Sequence, residues 1–130
     1  MTTEGGGVVT KVSPRPVADT VARLLEVTAA RNVKVFAVID HSGGAEAAGL
    51  ELRDTKLVIF GNPQAGTPVM AAAPLAALDL PLKILVWADG DETKVSYTSP
   101  AALAARYGFG DELTARLAGI DAIADAVVAG

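Results

Sequence analysis

Apolar residues in this chain fall in short runs broken by turn-forming clusters, and the spacing inside each run indicates the element it builds. Val8-Val9-Thr10-Lys11-Val12 reads as a short strand. Ser13-Pro14-Arg15-Pro16 then supplies a cap residue and prolines confined to a first helical turn. Val17, Val21, Leu24 and Leu25 follow at i, i+4, i+7 and i+8, which predicts an amphipathic helix ending near Arg31. Asn32 suits the left-handed position after a helix. Val33 to Asp40 is β-branched and apolar on both faces, the pattern of a central strand. Strand, helix, strand in this order predicts a right-handed crossover if both strands run parallel in one sheet.

His41-Ser42-Gly43-Gly44 turns into a short Ala45 to Leu50 segment that Gly49 stops, and a strand from about Thr55 to Phe60 comes next. The run Leu57-Val58-Ile59-Phe60 ends abruptly at Gly61-Asn62-Pro63-Gln64-Ala65-Gly66-Thr67-Pro68, a buried strand entering a shaped loop. Thr67 and Pro68 read as the cap and first turn of a short helix to Ala73, which Pro74 ends; a further turn covers Leu75 to Leu80. Leu82 to Trp87 and Thr93 to Tyr97, joined by Asp89-Gly90-Asp91-Glu92, suit an antiparallel hairpin. The sheet is therefore expected to be mixed. Ser99 caps a helix to about Tyr107 that Gly108 stops. Asp111 caps a last helix carrying Leu113, Leu117, Ile120, Ala124 and Val127, a stripe suited to covering the sheet or to pairing with a partner's helix.

Length narrows the picture to one domain, with residues 1–7 as a flexible glycine-rich arm and 8–130 as the folded unit. Aromatic residues are only 5% of the chain, so the core volume comes from aliphatic side chains. A net charge of -4 with basic residues scattered singly lacks the footprint of a nucleic-acid binder. Without Cys, and with one His, the chain has no thiolate nucleophile and no zinc site of the usual kind; no metal site is expected. No apolar run is long enough for a membrane span, and Met1 to Gly7 lacks the features of a signal peptide, so the expectation is a soluble cytoplasmic protein.

The run Phe60 to Pro68, followed by Ala73-Pro74-Leu75, Asp79-Leu80-Pro81-Leu82-Lys83 and Val86-Trp87, resembles the domain-of-unknown-function (DUF) family 302. Phe36, Ile39-Asp40-His41, Ala48-Gly49-Leu50, Ser96-Tyr97 and Pro100 fit the same pattern, which extends the resemblance from about Val12 to Tyr107. The resemblance implies a compact, single two-layer α+β domain, a mixed sheet of about five strands backed by helices, often seen as a dimer. It brings no established substrate, cofactor or catalytic residue. Where many members carry Arg-His-Gly, this chain has Arg106-Tyr107-Gly108, which removes a second histidine from any mechanism.

Two readings stand for each candidate site residue. Asn62 before Pro63 is a turn residue bonding its own loop, or one wall of a pocket at the strand ends beside Asp40 and His41. Gly66 and Thr67 offer N–H groups and a hydroxyl at a helix start, an arrangement that favours anions. His41 is a strand-end histidine, or an acid, base or ligand that Asp79 orients. Asp79 itself sits in a helix-to-strand connection where carboxylates bond backbone. Tyr97 is a half-buried sheet aromatic or a catalytic phenol. Ser42, Ser96 and Ser99 lie in no nucleophile elbow.

Three functions follow from this pattern. The first is binding or sensing of a small ligand, of unknown identity and with no cofactor specified, through a pocket framed by His41, Asn62, Gly66, Thr67, Asp79 and Tyr97. The second is an enzyme using His41 as general acid or base. The third is a structural module that homodimerises, because a small sheet leaves an edge to be paired.

Overall fold

The computed structural model describes residues 2–4 and 7–130. Six strands form one sheet in the order β1-β2-β6-β5-β4-β3, where β1 is Thr2–Glu4, β2 Val8–Ser13, β3 Lys34–Asp40, β4 Thr55–Gly61, β5 Leu82–Asp89 and β6 Glu92–Thr98. Of the expected N-terminal arm, Thr2–Glu4 pairs with β2, and residues 1, 5 and 6 lie outside the described residues. Helices α1 (Val17–Ala30), α2 (His41–Ala47), α3 (Pro63–Ala72), α4 (Pro100–Tyr107), α5 (Asp111–Leu117) and α6 (Gly119–Val128) complete an α+β domain, with a short 3-10 turn at Pro74–Leu78.

The expected mixed sheet is corrected: every neighbouring pair is antiparallel. The opening strand, helix and strand are present, and alternating directions across the sheet make β2 and β3 run the same way. They never touch, because α1 carries the chain past β6, β5 and β4 to the far edge. The segment read as a central strand is thus an edge strand, paired among the described residues with β4 alone.

Alternation along the strands places Val9, Val58, Phe60, Ile84, Val86, Val95 and Tyr97 on one face, where α1 and α6 cover them. On α1 the buried stripe is Val17, Val21, Leu24 and Val27, joined by Thr20 and Thr28; Leu25 stays exposed. Thr28 returns its hydroxyl to the Leu24 carbonyl at 3.0 Å, which satisfies a buried polar group within its own helix. Ser13 does not cap α1. Its hydroxyl instead bonds Thr20 Oγ1 and the Arg15 N–H, because Pro16 occupies the cap position. The opposite sheet face carries Ile39, Leu57, Ile59, Leu85 and Trp87, none of them fully buried.

The last helix is two helices that meet at Ala118, and Gly110 rather than Asp111 holds the cap position. The break divides the apolar stripe. Leu117 joins Val69, Ala76, Leu103 and Phe109 in a second cluster, while Ile120, Ala124 and Val127 pack on the sheet. Both halves of the stripe are consumed inside the chain, which removes the alternative of a partner's helix.

Buried charge fixes α6 to the sheet. Lys11, nearly inaccessible on β2, pairs with Asp125 and lies over the Tyr97 ring at 5.9 Å. Tyr97 donates its hydroxyl to Asp121 at 2.6 Å. Burial, with the Asp121 carboxylate beside it, pushes the Tyr97 phenol far above its ordinary value. A phenol raised in the folded state contributes stability that is complete below its unfolded value of about 10 and lost as pH rises beyond it. Tyr107, the second of two tyrosines, is shifted upward as well. A spectrophotometric titration at 295 nm is therefore expected to show less phenolate at pH 10 than free tyrosine gives, until the protein unfolds. Tyr97→Phe is expected to lower stability by about 1–2 kcal/mol.

Candidate functional site

The chain leaves β4 at Gly61 and turns directly into α3. Asn62 is the N-cap: its Oδ1 accepts the Gln64 N–H at 2.9 Å, and Pro63 takes the first helical position. Thr67 is accordingly not a cap, and Pro68 lies inside the helix rather than at its start. The sequence offers two Asx/Thr-Pro starts five residues apart, and the earlier one prevails because it begins where strand pairing stops. The Asn62 carbonyl accepts the N–H groups of Ala65 and Gly66 at 2.9 and 3.0 Å. The Gly66 N–H expected to receive an anion is therefore already committed within the helix.

A cavity of about 190 Å³ opens beside this turn. Its walls are Phe36 from β3, Pro63, Ala65, Gly66 and Met70 from α3, the Leu80-Pro81-Leu82 connection, and Leu117. Gly61 holds the walls close: a Cβ there would lie 3.3 Å from Pro81 Cβ and 3.5 Å from the Phe36 ring. At Gly66 a Cβ would meet Met70 Cε at 3.7 Å, an ordinary contact, so the missing side chain is space that belongs to the cavity. Asn62 and Thr67 also line it and are exposed. The Asn62 Nδ2 and the Thr67 hydroxyl have no hydrogen-bond partner among the described residues.

The six residues singled out from sequence do not converge. Asn62, Gly66 and Thr67 share this cavity. His41 lies elsewhere, since antiparallel pairing sets Lys34 opposite Gly61 and Asp40 opposite Lys56. Five residues of β4 separate those ends by about 17 Å. A parallel pair would have put both strand ends together, and the expectation of a shared pocket rested on that arrangement. His41 is exposed at the start of α2, and the open hollow at that end is lined by Asp40, Ser42, Gly43, Glu46, Asp54 and Lys56 rather than by the imidazole. There Asp40 caps α2 by accepting the Gly43 N–H at 2.8 Å, which holds its carboxyl below the usual range.

Asp79 does not orient His41 either. It ends the 3-10 turn one residue before the cavity wall and accepts from the Tyr107 hydroxyl and from Arg106 Nη1, the latter at 2.9 Å. The Tyr107 hydrogen bond, then the Arg106 guanidinium, hold the Asp79 carboxyl below its ordinary value. Tyr97 lies beneath α6, away from the cavity. Sequence reasoning missed Phe36, Met70, Leu80 and Leu117, because each reads as an ordinary core residue. Adjacent Arg106 and Tyr107 at a helix end were the available signal for the Asp79 partnership.

A family model described as "Domain of unknown function DUF302" matches residues 9–127. The chain belongs to the DUF302 family. A solved DUF302 protein described as uncharacterized, from Bacillus stearothermophilus, superposes with a TM-score of 0.80 over 94% of this chain and 95% of its own, at 20% identity. Two Brucella relatives are named Fluoride-specific ion channel FluC 1. The proteins of Brucella suis biovar 1 (strain 1330) and Brucella abortus biovar 1 (strain 9-941) are each 41% identical over 105 residues, 80% of this chain. The DUF302 chain spans about two fifths of those relatives' length: 41% and 39%. No helix among its described residues is long and apolar enough to cross a membrane.

Asn62→Ala removes a cap and is expected to cost about 1 kcal/mol, whereas Thr67→Ala, inside the helix, is expected to stay within about 0.5 kcal/mol of the parent in urea melts. Asp79 contributes stability that is present above its unfolded value of about 4 and lost as pH falls through its lower folded value. Tyr107→Phe removes the largest cause of that depression. Acid unfolding monitored by circular dichroism is expected to depend less steeply on pH in this variant below about pH 4.

Proposed function

We propose that this domain binds a small neutral molecule, an apolar body of about ring size with one hydrogen-bond acceptor, in the cavity beside α3. The observation carrying this reading is an apolar cavity with two uncommitted polar groups in its lining, Asn62 Nδ2 and the Thr67 hydroxyl. A binding site combines these parts in this way: apolar walls supply affinity, and a few placed polar groups fix orientation. The volume falls below the roughly 300–1,000 Å³ of drug-sized sites and is near the roughly 150 Å³ apolar cavity that accepts benzene in another protein. Among the described residues no charged side chain lines it, which favours a neutral ligand over an anion.

The acid–base alternative through His41 receives no comparable support, because the imidazole is exposed and the proposed orienting carboxylate is engaged by Tyr107 and Arg106. The Brucella relatives bear on the choice of ligand. Those longer proteins are named for fluoride; an apolar cavity without a cationic lining is a poor host for that ion, so the reading is of a ligand other than fluoride.

Cyclohexanone, an apolar ring with a single carbonyl acceptor, is a suitable probe. It is expected to raise the melting temperature of the parent protein at saturating concentration, by the ordinary linkage of binding to folding. Gly66→Leu fills the cavity and is expected to abolish the shift. Replacing a mid-helix glycine also gains up to about 1 kcal/mol of helix propensity, so this variant keeps its fold. Sodium fluoride is expected to leave both melts unchanged. A cyclohexanone shift of the same size in Gly66→Leu, or no shift in the parent, overturns the assignment.

A further inference from the structure

The chain has no cysteine and two methionines, Met1 and Met70, so Met70 carries the only sulfur beyond the first residue. It lies in the interior of α3, lines the cavity and is partly exposed. A helical methionine lays its side chain back over the preceding turn. Here that turn holds Gly66, four residues back, and Thr67, three back, the two neighbours that share its side of the helix. The Met70 methyl lies 3.7 Å from where a Gly66 Cβ would stand. The bare Gly66 backbone thus gives the thioether its place in the cavity, next to the Thr67 hydroxyl. Besides Asn62 and Thr67, no lining side chain among the described residues is polar, so the wall offers two donors and no side-chain acceptor to meet them.

We propose that Met70 is a reversible oxidation site whose sulfoxide closes the cavity by becoming its occupant, an inference that rests on the ligand site argued above. The oxidant is a peroxide. A lone pair of the thioether attacks one peroxide oxygen, the O–O bond breaks as the S–O bond forms, and the other oxygen leaves as water after taking up the proton. Sulfur loses two electrons and the peroxide gains them. Oxidation turns a flexible apolar side chain into a polar one with a strong acceptor oxygen. An apolar body with one acceptor is what the cavity selects in a ligand, and the sulfoxide brings both within the chain. Its oxygen accepts from the Thr67 hydroxyl, where the acceptor of a bound ligand would otherwise stand. Sulfoxide reductases reverse the step, so occupancy of the cavity follows the local peroxide level.

The test treats the parent protein with hydrogen peroxide, follows each methionine by peptide mass spectrometry, and measures the rise in melting temperature given by cyclohexanone at each stage. The rise is expected to fall in proportion to the fraction of Met70 oxidised, whatever the state of Met1, while the far-ultraviolet spectrum stays that of the parent. Treatment with the two sulfoxide reductases, one for each epimer, is expected to restore it. Saturating cyclohexanone is expected to slow oxidation of Met70 by about tenfold, because susceptibility follows exposure of the sulfur. Thr67→Val is expected to lower the melting temperature of the oxidised protein more than that of the untreated one. A cyclohexanone shift that persists with Met70 fully oxidised overturns the inference and leaves the ligand site standing. A shift lost only together with the far-ultraviolet spectrum makes the oxidation plain damage and also overturns it, as does an equal effect of Thr67→Val in both forms. No shift in the untreated parent overturns the ligand site, and this inference with it.

Discussion

Strand β3 is held to β4 by an antiparallel ladder from Lys34–Gly61 to Asp40–Lys56, and the rest of the site depends on this pairing. The ladder sends the two strand ends in opposite directions, so α2 and α3 leave the sheet at opposite ends. It also brings Phe36 over Gly61, where the ring becomes a wall of the cavity. The same pairing leaves β3 with one satisfied edge and one open edge. Cavity and edge are therefore neighbours by construction, since Phe36 belongs to both.

Much of the element order was legible in the sequence because local rules govern element ends. Asn32 adopts the positive φ read for it (56°), Gly108 closes α4 in the left-handed region, and Ser99 caps α4 by accepting the Ala102 N–H. The hairpin of β5 and β6 follows from Gly90 in the same way. Strand neighbours are another matter. Nothing in the residues of α1 states whether the chain returns beside β2 or crosses to the far edge, and both outcomes bury the same apolar faces. Reading β3 as central rested on two-sided apolarity, whereas the structure sets the strand at the edge and leaves Phe36, Val38 and Ile39 partly exposed.

The candidate site was half legible for a related reason. Asn62, Gly66 and Thr67 were found because turn-forming and small residues stand out against an aliphatic chain. Their roles came out differently, since Asn62-Pro63 and Thr67-Pro68 compete for one helix start and local sequence does not rank them. His41 and Asp79 drew notice as the types of residue that do chemistry. The structure gives Asp79 a fixed task instead: it ties the 3-10 turn to the end of α4 through Tyr107 and Arg106. Tyr107 is shifted above and Asp79 below its ordinary value, so this tie does not titrate in the physiological range.

The break at Ala118 has a mechanical consequence. Leu117 and Ile120 stand on either side of that corner, one in the cluster that walls the cavity and the other beneath the sheet, and Leu82 packs against both clusters. Leu82 therefore serves both clusters, and shortening it would take packing from both at once.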